Sequence, residues 1–322
     1  MSQDQWQPSA AISSLHSRAQ VLQKIRQFFA DRHVLEVETP LLCQHSVTDI
    51  NLEPITANYS MANETTLRYL QTSPEFAMKR LLAAGSGCIY QIAKAFRADD
   101  LGKKHNPEFS LLEWYRIGFD HWQLMDEIDL LSQSCFGFKA AEKISYRQLL
   151  LNESGLDVLL SPVTEIQDYL SSSMDVSGLD GMSRDDWLDL LFSTQIEPNI
   201  GHDQPLIVFG YPKSQAALAR TFEYEGEEVA ARFELFVKGV EMANGYWELT
   251  DVEEQQRRFL EDNRLRRSLN KAERSIDSFL MEAMNCGLPD CAGVAMGIDR
   301  MLMVALGLEG VKDTLSFDWG RA

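Results

Sequence analysis

Apolar residues Leu15, Val21, Leu22, Ile25, Phe28 and Phe29 recur near a 3.6-residue period and predict an amphipathic helix close to the start of the chain, with Ser13 and Ser14 placed to cap it. The pattern then turns extended over residues 34–40, Val-Leu-Glu-Val-Glu-Thr-Pro. Proline has no amide to donate to a ladder, so this strand ends at Pro40 or lies at a sheet edge, as a subunit contact would require. Shorter β runs stand at residues 89–92, 206–209 and 232–237, and alternation in the last puts Arg232, Glu234 and Phe236 on one face. Residues 140–200 carry amphipathic helical patterns, a Ser171-Ser172-Ser173 run and no candidate chemistry. They read as a helical insertion, without internal repeats or a true linker. Residues 301–306, Met-Leu-Met-Val-Ala-Leu, predict the start of a buried helix.

Composition narrows the class. A chain of 322 residues with 45% hydrophobic and 24% charged residues is globular and long enough for one large or two ordinary domains. Residues 1–11 lack the basic start and apolar centre of a signal peptide, and no apolar run approaches a membrane span, so a cytoplasmic location is expected. Cys43, Cys88, Cys135, Cys286 and Cys291 are odd in number and scattered, which argues against a disulfide framework or a zinc site. The net charge of -18 argues against nucleic-acid binding, whose usual footprint is a basic patch. Arg257-Arg258 and Arg264, Arg266 and Arg267 do cluster, but they alternate with Glu253, Glu254, Glu261 and Asp262 at helical spacing, as on a solvated helix face.

The candidate chemistry lies in three segments. The first runs from Tyr90 to Arg116 and holds Phe96-Arg97, Asp99-Asp100, His105-Asn106-Pro107-Glu108-Phe109 and Glu113-Trp114-Tyr115. The second is residues 293–300, Gly-Val-Ala-Met-Gly-Ile-Asp-Arg. Arginine offers a planar, permanently charged fork that matches phosphate oxygens, so Arg97 and Arg300, beside glycines and carboxylates, point to an ATP site. Gly293 and Gly297 lack a Cβ, which lets backbone approach a ligand. The third segment runs from Glu234 to Glu248. Here Glu234 and Glu241 read either as a solvated acidic strand or as carboxylates holding Mg²⁺ against substrate phosphates, and Asn244-Gly245 also permits a turn.

Taken in order, these segments resemble motifs 1, 2 and 3 of class II aminoacyl-tRNA synthetases, and specifically of lysyl-tRNA synthetases. Ser73-Pro74-Glu75 followed by Lys79-Arg80-Leu81-Leu82, the block from Phe96 to Tyr115, the block from Glu241 to Glu248 with Leu249-Thr250-Asp251, and Gly297-Ile298-Asp299-Arg300 carry the resemblance over nearly the whole chain. Lysyl-tRNA synthetases place an anticodon-binding OB-fold before this core, whereas here motif 1 stands almost at the first residue. The chain is therefore similar to the free-standing lysyl-tRNA synthetase paralogues that join β-lysine to a lysine of elongation factor P. That resemblance implies a single α+β catalytic domain over residues 1–322, a six- to seven-stranded antiparallel sheet flanked by helices, and a homodimer through motif 1. It implies an ATP-dependent ligase that adenylates (R)-β-lysine, with Mg²⁺, and no tRNA partner.

The resemblance also implies roles. Glu75, beside Ser73 and Pro74, binds the substrate amino group, and Arg97 contacts its carboxylate and the α-phosphate. Glu113, Tyr115 and Glu248 surround the distal ammonium, and Asn244 helps with the carboxylate. Ala98, Asp99, His105 and Asn106 belong to the ATP loop, Phe109 stacks on adenine, Glu241, Met242 and Gly297 lie against the nucleotide, and Arg300 takes the γ-phosphate. Glu234 and Glu241 hold Mg²⁺. Ala98 and Asp99 depart from the Asn-Glu usual there, and the loop at residues 101–104 is slightly longer. Ala295 stands where lysyl-tRNA synthetases resemble this segment with glycine, and one methyl on a pocket wall is worth about 1 to 3 kcal/mol, enough to favour a β-amino acid.

Three other readings differ in their requirements. An ammonia-dependent asparagine synthetase of the same fold needs a basic group for an aspartate side chain. A tRNA-charging relative needs a basic face. A non-catalytic regulatory paralogue often lacks the motif 2 or motif 3 arginine, and both are present here.

Overall fold

Strand-forming runs with one apolar face assemble only when that face is covered, and here the covering is a row of helices. The computed structural model describes residues 6–61, 64–98, 100–179 and 181–322. Asp99 lies outside the described residues. The large sheet contains β1 (Leu35–Glu36), β2 (Ile89–Phe96), β3 (Glu108–Ile117), β4 (Glu142–Ser145), β5 (Leu206–Phe209), β6 (Arg232–Phe236), β7 (Glu241–Trp247) and β8 (Cys291–Gly297). Its order is β1-β2-β3-β8-β7-β6-β5-β4. The six central strands pair antiparallel, while β1 and β4 add parallel at the two edges. The sheet is thus wider than the sequence predicts, because β4 lies in a stretch that otherwise reads as helical.

Alternation decides what each face does. Leu112 and Trp114 of β3, Val294 and Met296 of β8, and Phe233 and Leu235 of β6 point to one core with α1 (Ile12–Ala30), α3 (His121–Leu131) and α9 (Ile298–Ala305). Gly245 belongs to this face as well: a Cβ there would lie 2.4 Å from the Phe233 ring directly opposite. The Asn244-Gly245 pair is therefore a mid-strand pair in β7, not a turn.

Other local readings change for similar reasons. Helix α1 begins at Ile12 with Ala11 as its N-cap and no side-chain cap, so Ser13 and Ser14 sit inside the first turn. The run at residues 34–40 forms only the two-residue edge strand β1, extended by a Val37 amide donating to the Tyr90 carbonyl at 2.9 Å. Residues 140–200 include β4 as well as α4 (Tyr146–Ser154), α5 (Val163–Ser171) and α6 (Arg184–Leu191), which close a separate core over Val208 and Phe236.

On α7 (Val252–Ser268), Arg257, Arg264 and Arg267 are exposed and paired with Glu254, Glu261 and Glu273, as a solvated face requires. Arg266 departs from that pattern. It is 1% exposed, meets Glu53 at 2.5 Å and donates to the Asp49 carbonyl at 2.9 Å. Arg274 joins Glu53 at 2.7 Å, so a buried ionic clamp fastens the loop around residues 48–53 over the open face of the sheet.

Candidate active site

The other face of the sheet carries the chemistry in register. Glu113 of β3 stands opposite Ala295 of β8, which stands opposite Asn244 of β7, which stands opposite Glu234 of β6. Two residues along, Tyr115, Gly293, Tyr246 and Arg232 form a parallel row. Period-two alternation requires that a strand with its apolar side in the core presents this set to the opposite side. A cavity of about 400 Å³ opens there. Its wall includes Ser73, Glu75, Arg97, His105, Asn106, Phe109, Glu234, Glu241, Met242, Asn244, Ala295, Gly297 and Arg300.

At the cationic end, Arg97 is half-buried and makes no ion pair among the described residues, and its buried Nε has no hydrogen-bond partner among them. Burial lowers its pKa, opposed by the charge of Glu241. Its guanidinium carbon lies 5.1 Å from the Phe109 ring centroid. Arg300 donates to the carbonyls of Glu241 at 3.0 Å and Lys104 at 3.2 Å, and lies 3.8 Å from the Glu241 carboxylate. It also meets His105 Nε2. Burial and then Arg300 lower the His105 pKa, so the ring is neutral and Nε2 accepts from Arg300. An arginine with a buried, unpartnered N–H and no ion pair among the described residues is a site for an anion.

At the acidic end, Glu75 opens helix α2 (Glu75–Ala83) and lines the cavity, while Glu113, Tyr115 and Glu248 lie behind the wall. Ser73 Oγ donates to Glu113 Oε2 at 2.6 Å, and Tyr115 OH donates to Glu113 Oε1 at 2.7 Å. Burial raises the Glu113 carboxyl to about 8, with the charge of Glu75 adding to it. Burial also raises Glu248 to about 7, against the pull of Lys79. Lys79 bridges Glu75 at 2.7 Å and Glu248 at 2.6 Å. Burial lowers its pKa, but the two carboxylates more than offset that and hold the ammonium above its ordinary range.

Several expectations shift. Gly293 makes room for protein rather than ligand: a Cβ there would lie 2.3 Å from the Tyr115 ring and 2.6 Å from Glu248 Oε1. At Gly297 a Cβ would meet only Arg300's own side chain, at 3.7 Å or more, which leaves that position for close approach to a ligand. Asn106 spends its amide on the structure, donating to the Glu108 carbonyl at 2.7 Å and accepting from the Trp319 amide at 2.9 Å. Pro74 lines a neighbouring cavity, and Ala98 meets the protein through its amide, on the Glu53 carbonyl at 2.8 Å.

The sequence reading gave no role to Asp49, Asn51, Arg232 or Tyr246, all in the cavity wall. Nor did it give one to Lys79, although its i+4 spacing from Glu75 on a helix was a usable signal. Asp299 was quoted without a role as well. It is buried, pairs with Arg18 at 2.5 Å and accepts from the Ser110 amide at 2.7 Å, so it anchors the start of α9 to α1 and β3.

The Mg²⁺ pair is asymmetric. Tyr211 at 2.7 Å and Arg232 each donate to one oxygen of Glu234. Burial raises its pKa, and the charge of Glu241 adds to that. A carboxylate oxygen has two lone pairs, so Glu234 keeps acceptor capacity, and among the described residues the Glu241 carboxylate meets no closer cation than Arg300 at 3.8 Å. Two facing carboxylates whose mutual charge is unfavourable fit a divalent cation.

Residues 5–319 match the sequence pattern of the tRNA synthetases class II (D, K and N). The chain belongs to this family. As a class II synthetase it has its expected α+β core, with a largely antiparallel sheet flanked by helices. It is 46% identical over 322 residues to a protein of Yersinia enterocolitica and 46% identical over 318 residues to one of Histophilus somni (strain 2336), covering 98% of each chain in both cases. A Hamiltonella defensa protein is 47% identical over 321 residues, again with 98% of each chain. All three relatives carry the name elongation factor P--(R)-beta-lysine ligase.

Proposed function

We propose that this class II synthetase uses ATP to adenylate (R)-β-lysine and transfers the β-lysyl group to the ε-amine of a lysine on elongation factor P. The observation that carries the reading is the polarity of one cavity, with a half-buried guanidinium that has no ion pair among the described residues at one end and a cluster of buried carboxylates at the other. Such a cavity orders a substrate with its carboxylate toward Arg97 and its ammonium groups toward Glu75 and the layer behind it. The names of the 46–47% identical relatives support the same substrate and acceptor.

In the first step a carboxylate oxygen of the amino acid attacks the α-phosphorus of ATP, forming the acyl-adenylate and releasing pyrophosphate. Arg97 meets both reacting groups, and Arg300 holds the distal phosphates; each stabilises charge where it develops. Asn244, whose buried Oδ1 has no partner, directs its amide group into the same space. Glu241 and Glu234 hold Mg²⁺, which when bound neutralises phosphate charge. In the second step the acceptor lysine's neutral amine attacks the acyl carbon and AMP leaves. Lysine's ordinary pKa of about 10.4 requires that this amine first lose a proton.

An asparagine synthetase reading requires a cation for an aspartate side chain. Lys79 is already held by two carboxylates and offers none. We further place the protein in the cytoplasm as a twofold homodimer, with exposed Leu35, Leu41 and Leu42 near the β1 edge as the contact and no tRNA partner. No helix among the described residues is long and apolar enough to cross a membrane.

The test is ATP–pyrophosphate exchange driven by β-lysine, α-lysine or aspartate. Exchange with β-lysine is expected; exchange only with α-lysine would move the reading to tRNA charging, and none at all to a binding subunit. Ala295 lies in the cavity wall, opposite both Asn244 and Glu113. Ala295→Gly is expected to change the ratio of kcat/KM for β-lysine over α-lysine by about ten- to a hundred-fold in favour of α-lysine. An unchanged ratio would remove Ala295 from the specificity argument.

A further inference from the structure

Lys79 has no part in the chemistry above, yet it is the cation most enclosed by the amino-acid end of the site. Its side chain is 3% exposed, it donates to Glu75 Oε1 at 2.7 Å, and it lies 2.6 Å from Glu248 Oε2. One ammonium therefore joins a carboxylate of the cavity wall to a carboxylate of the layer behind it. Stability gives little reason for this arrangement. A buried ion pair recovers its desolvation cost only with good geometry, and apolar residues of similar volume often replace one without loss. Lysine is also among the residues seldom found fully buried unless paired.

We propose that Lys79 is a positioning residue that ties Glu75 and Glu248 at a fixed separation, so that the pocket selects an amino acid bearing two ammonium groups. The inference rests on the function proposed above, which gives Glu75 to the substrate's amino group and Glu248 to its distal ammonium. Lys79 meets one oxygen of each carboxylate; Glu75 lines the cavity, and Glu248 stands behind it, joined through this one ammonium. The charges agree with this: burial pushes Glu113 and Glu248 toward their protonated forms, and a substrate that brings ammonium groups to this end favours the charged forms again. Without the cation, Glu248, already pushed up by burial, takes a proton and stops acting as a charged acceptor. Glu75 and Glu248 are then no longer tied together.

The experiment uses the full chain in ATP–pyrophosphate exchange with β-lysine and with 3-aminohexanoic acid, the same skeleton without the distal amine. Wild type is expected to prefer β-lysine. Lys79→Met is expected to raise KM for β-lysine about tenfold or more, to leave kcat and KM for ATP within about threefold, and to bring the two substrates' kcat/KM values together. A merely structural lysine would lower the active fraction and leave KM and the preference alone. If Lys79→Met does not give a cooperative melt, Lys79→Gln carries the same expectation at smaller size, since its amide can still donate to one carboxylate. A folded variant with wild-type KM and preference, or with tighter β-lysine binding, overturns the proposal. Absence of β-lysine exchange in the wild type would instead overturn the function on which it rests.

Discussion

Arg97→Met is expected to lose about 10² to 10³ in β-lysine-dependent exchange rate, the usual cost of removing one preorganised group that meets charge in the transition state, while melting no lower than wild type. Charged core residues normally cost stability when removed because a partner is left behind. Arg97 has no ion-pair partner among the described residues, its Nε is unsatisfied, and burial already works against its charge. Methionine of similar length relieves that penalty. Activity and stability should therefore move in opposite directions, which a purely structural arginine would not do. Arg97→Lys keeps the charge but loses the fork, and most of the loss should remain. Thermal melting and exchange on the same preparations decide it: a variant that melts much earlier, or one exchanging at close to the wild-type rate, would remove Arg97 from the phosphate site.

Gly293 and Gly297 are expected to respond in opposite ways to the same added methyl. At Gly293 the Cβ would enter the Tyr115 ring at 2.3 Å and crowd Glu248 Oε1 at 2.6 Å. Strand β8 cannot yield, because β3 and β7 hold it on both sides. Tyr115 would have to abandon its 2.7 Å hydrogen bond to Glu113, leaving a buried carboxyl one donor short. Overpacking of this kind costs about 1 to 3 kcal/mol. Gly293→Ala should show that loss in denaturant unfolding together with a raised KM for the amino acid. Gly297→Ala meets no backbone or neighbouring side chain closer than Arg300 at 3.7 Å, so it should unfold with the wild type and raise KM for ATP. Equal destabilisation of the two variants would contradict the assignment of one glycine to packing and the other to ligand approach.

The two glycines also mark where sequence reasoning reaches its limit. Both were legible as positions of close approach, since lacking a Cβ is a property of the residue itself. What approaches was not legible, because Tyr115 comes from β3 and Glu248 from the end of β7, and only strand register brings them to Gly293. The same holds for the carboxylates. Motif resemblance points to Glu75, Glu113 and Glu248, but the depth of Glu113 behind Ser73, and the lysine that joins Glu75 to Glu248, depend on how α2 packs against the sheet.

The amino-acid sequence by itself determined the family, the shared face of Arg232 and Glu234, and about half of the cavity wall. Alternation and motif order are local properties, and local properties survive in a linear string. Tertiary structure decided the parallel edge strands β1 and β4, the core that residues 140–200 close over β5 and β6, and the burial of Arg266 on a helix that reads as solvated. Each of these depends on a partner far away in the chain: Ile89 for Leu35, Leu206 for Glu142, Glu53 for Arg266. A short strand or a lone arginine has no periodicity to announce its surroundings. Its role is fixed only when the packed fold supplies a hydrogen-bond partner or counter-charge and excludes water from both.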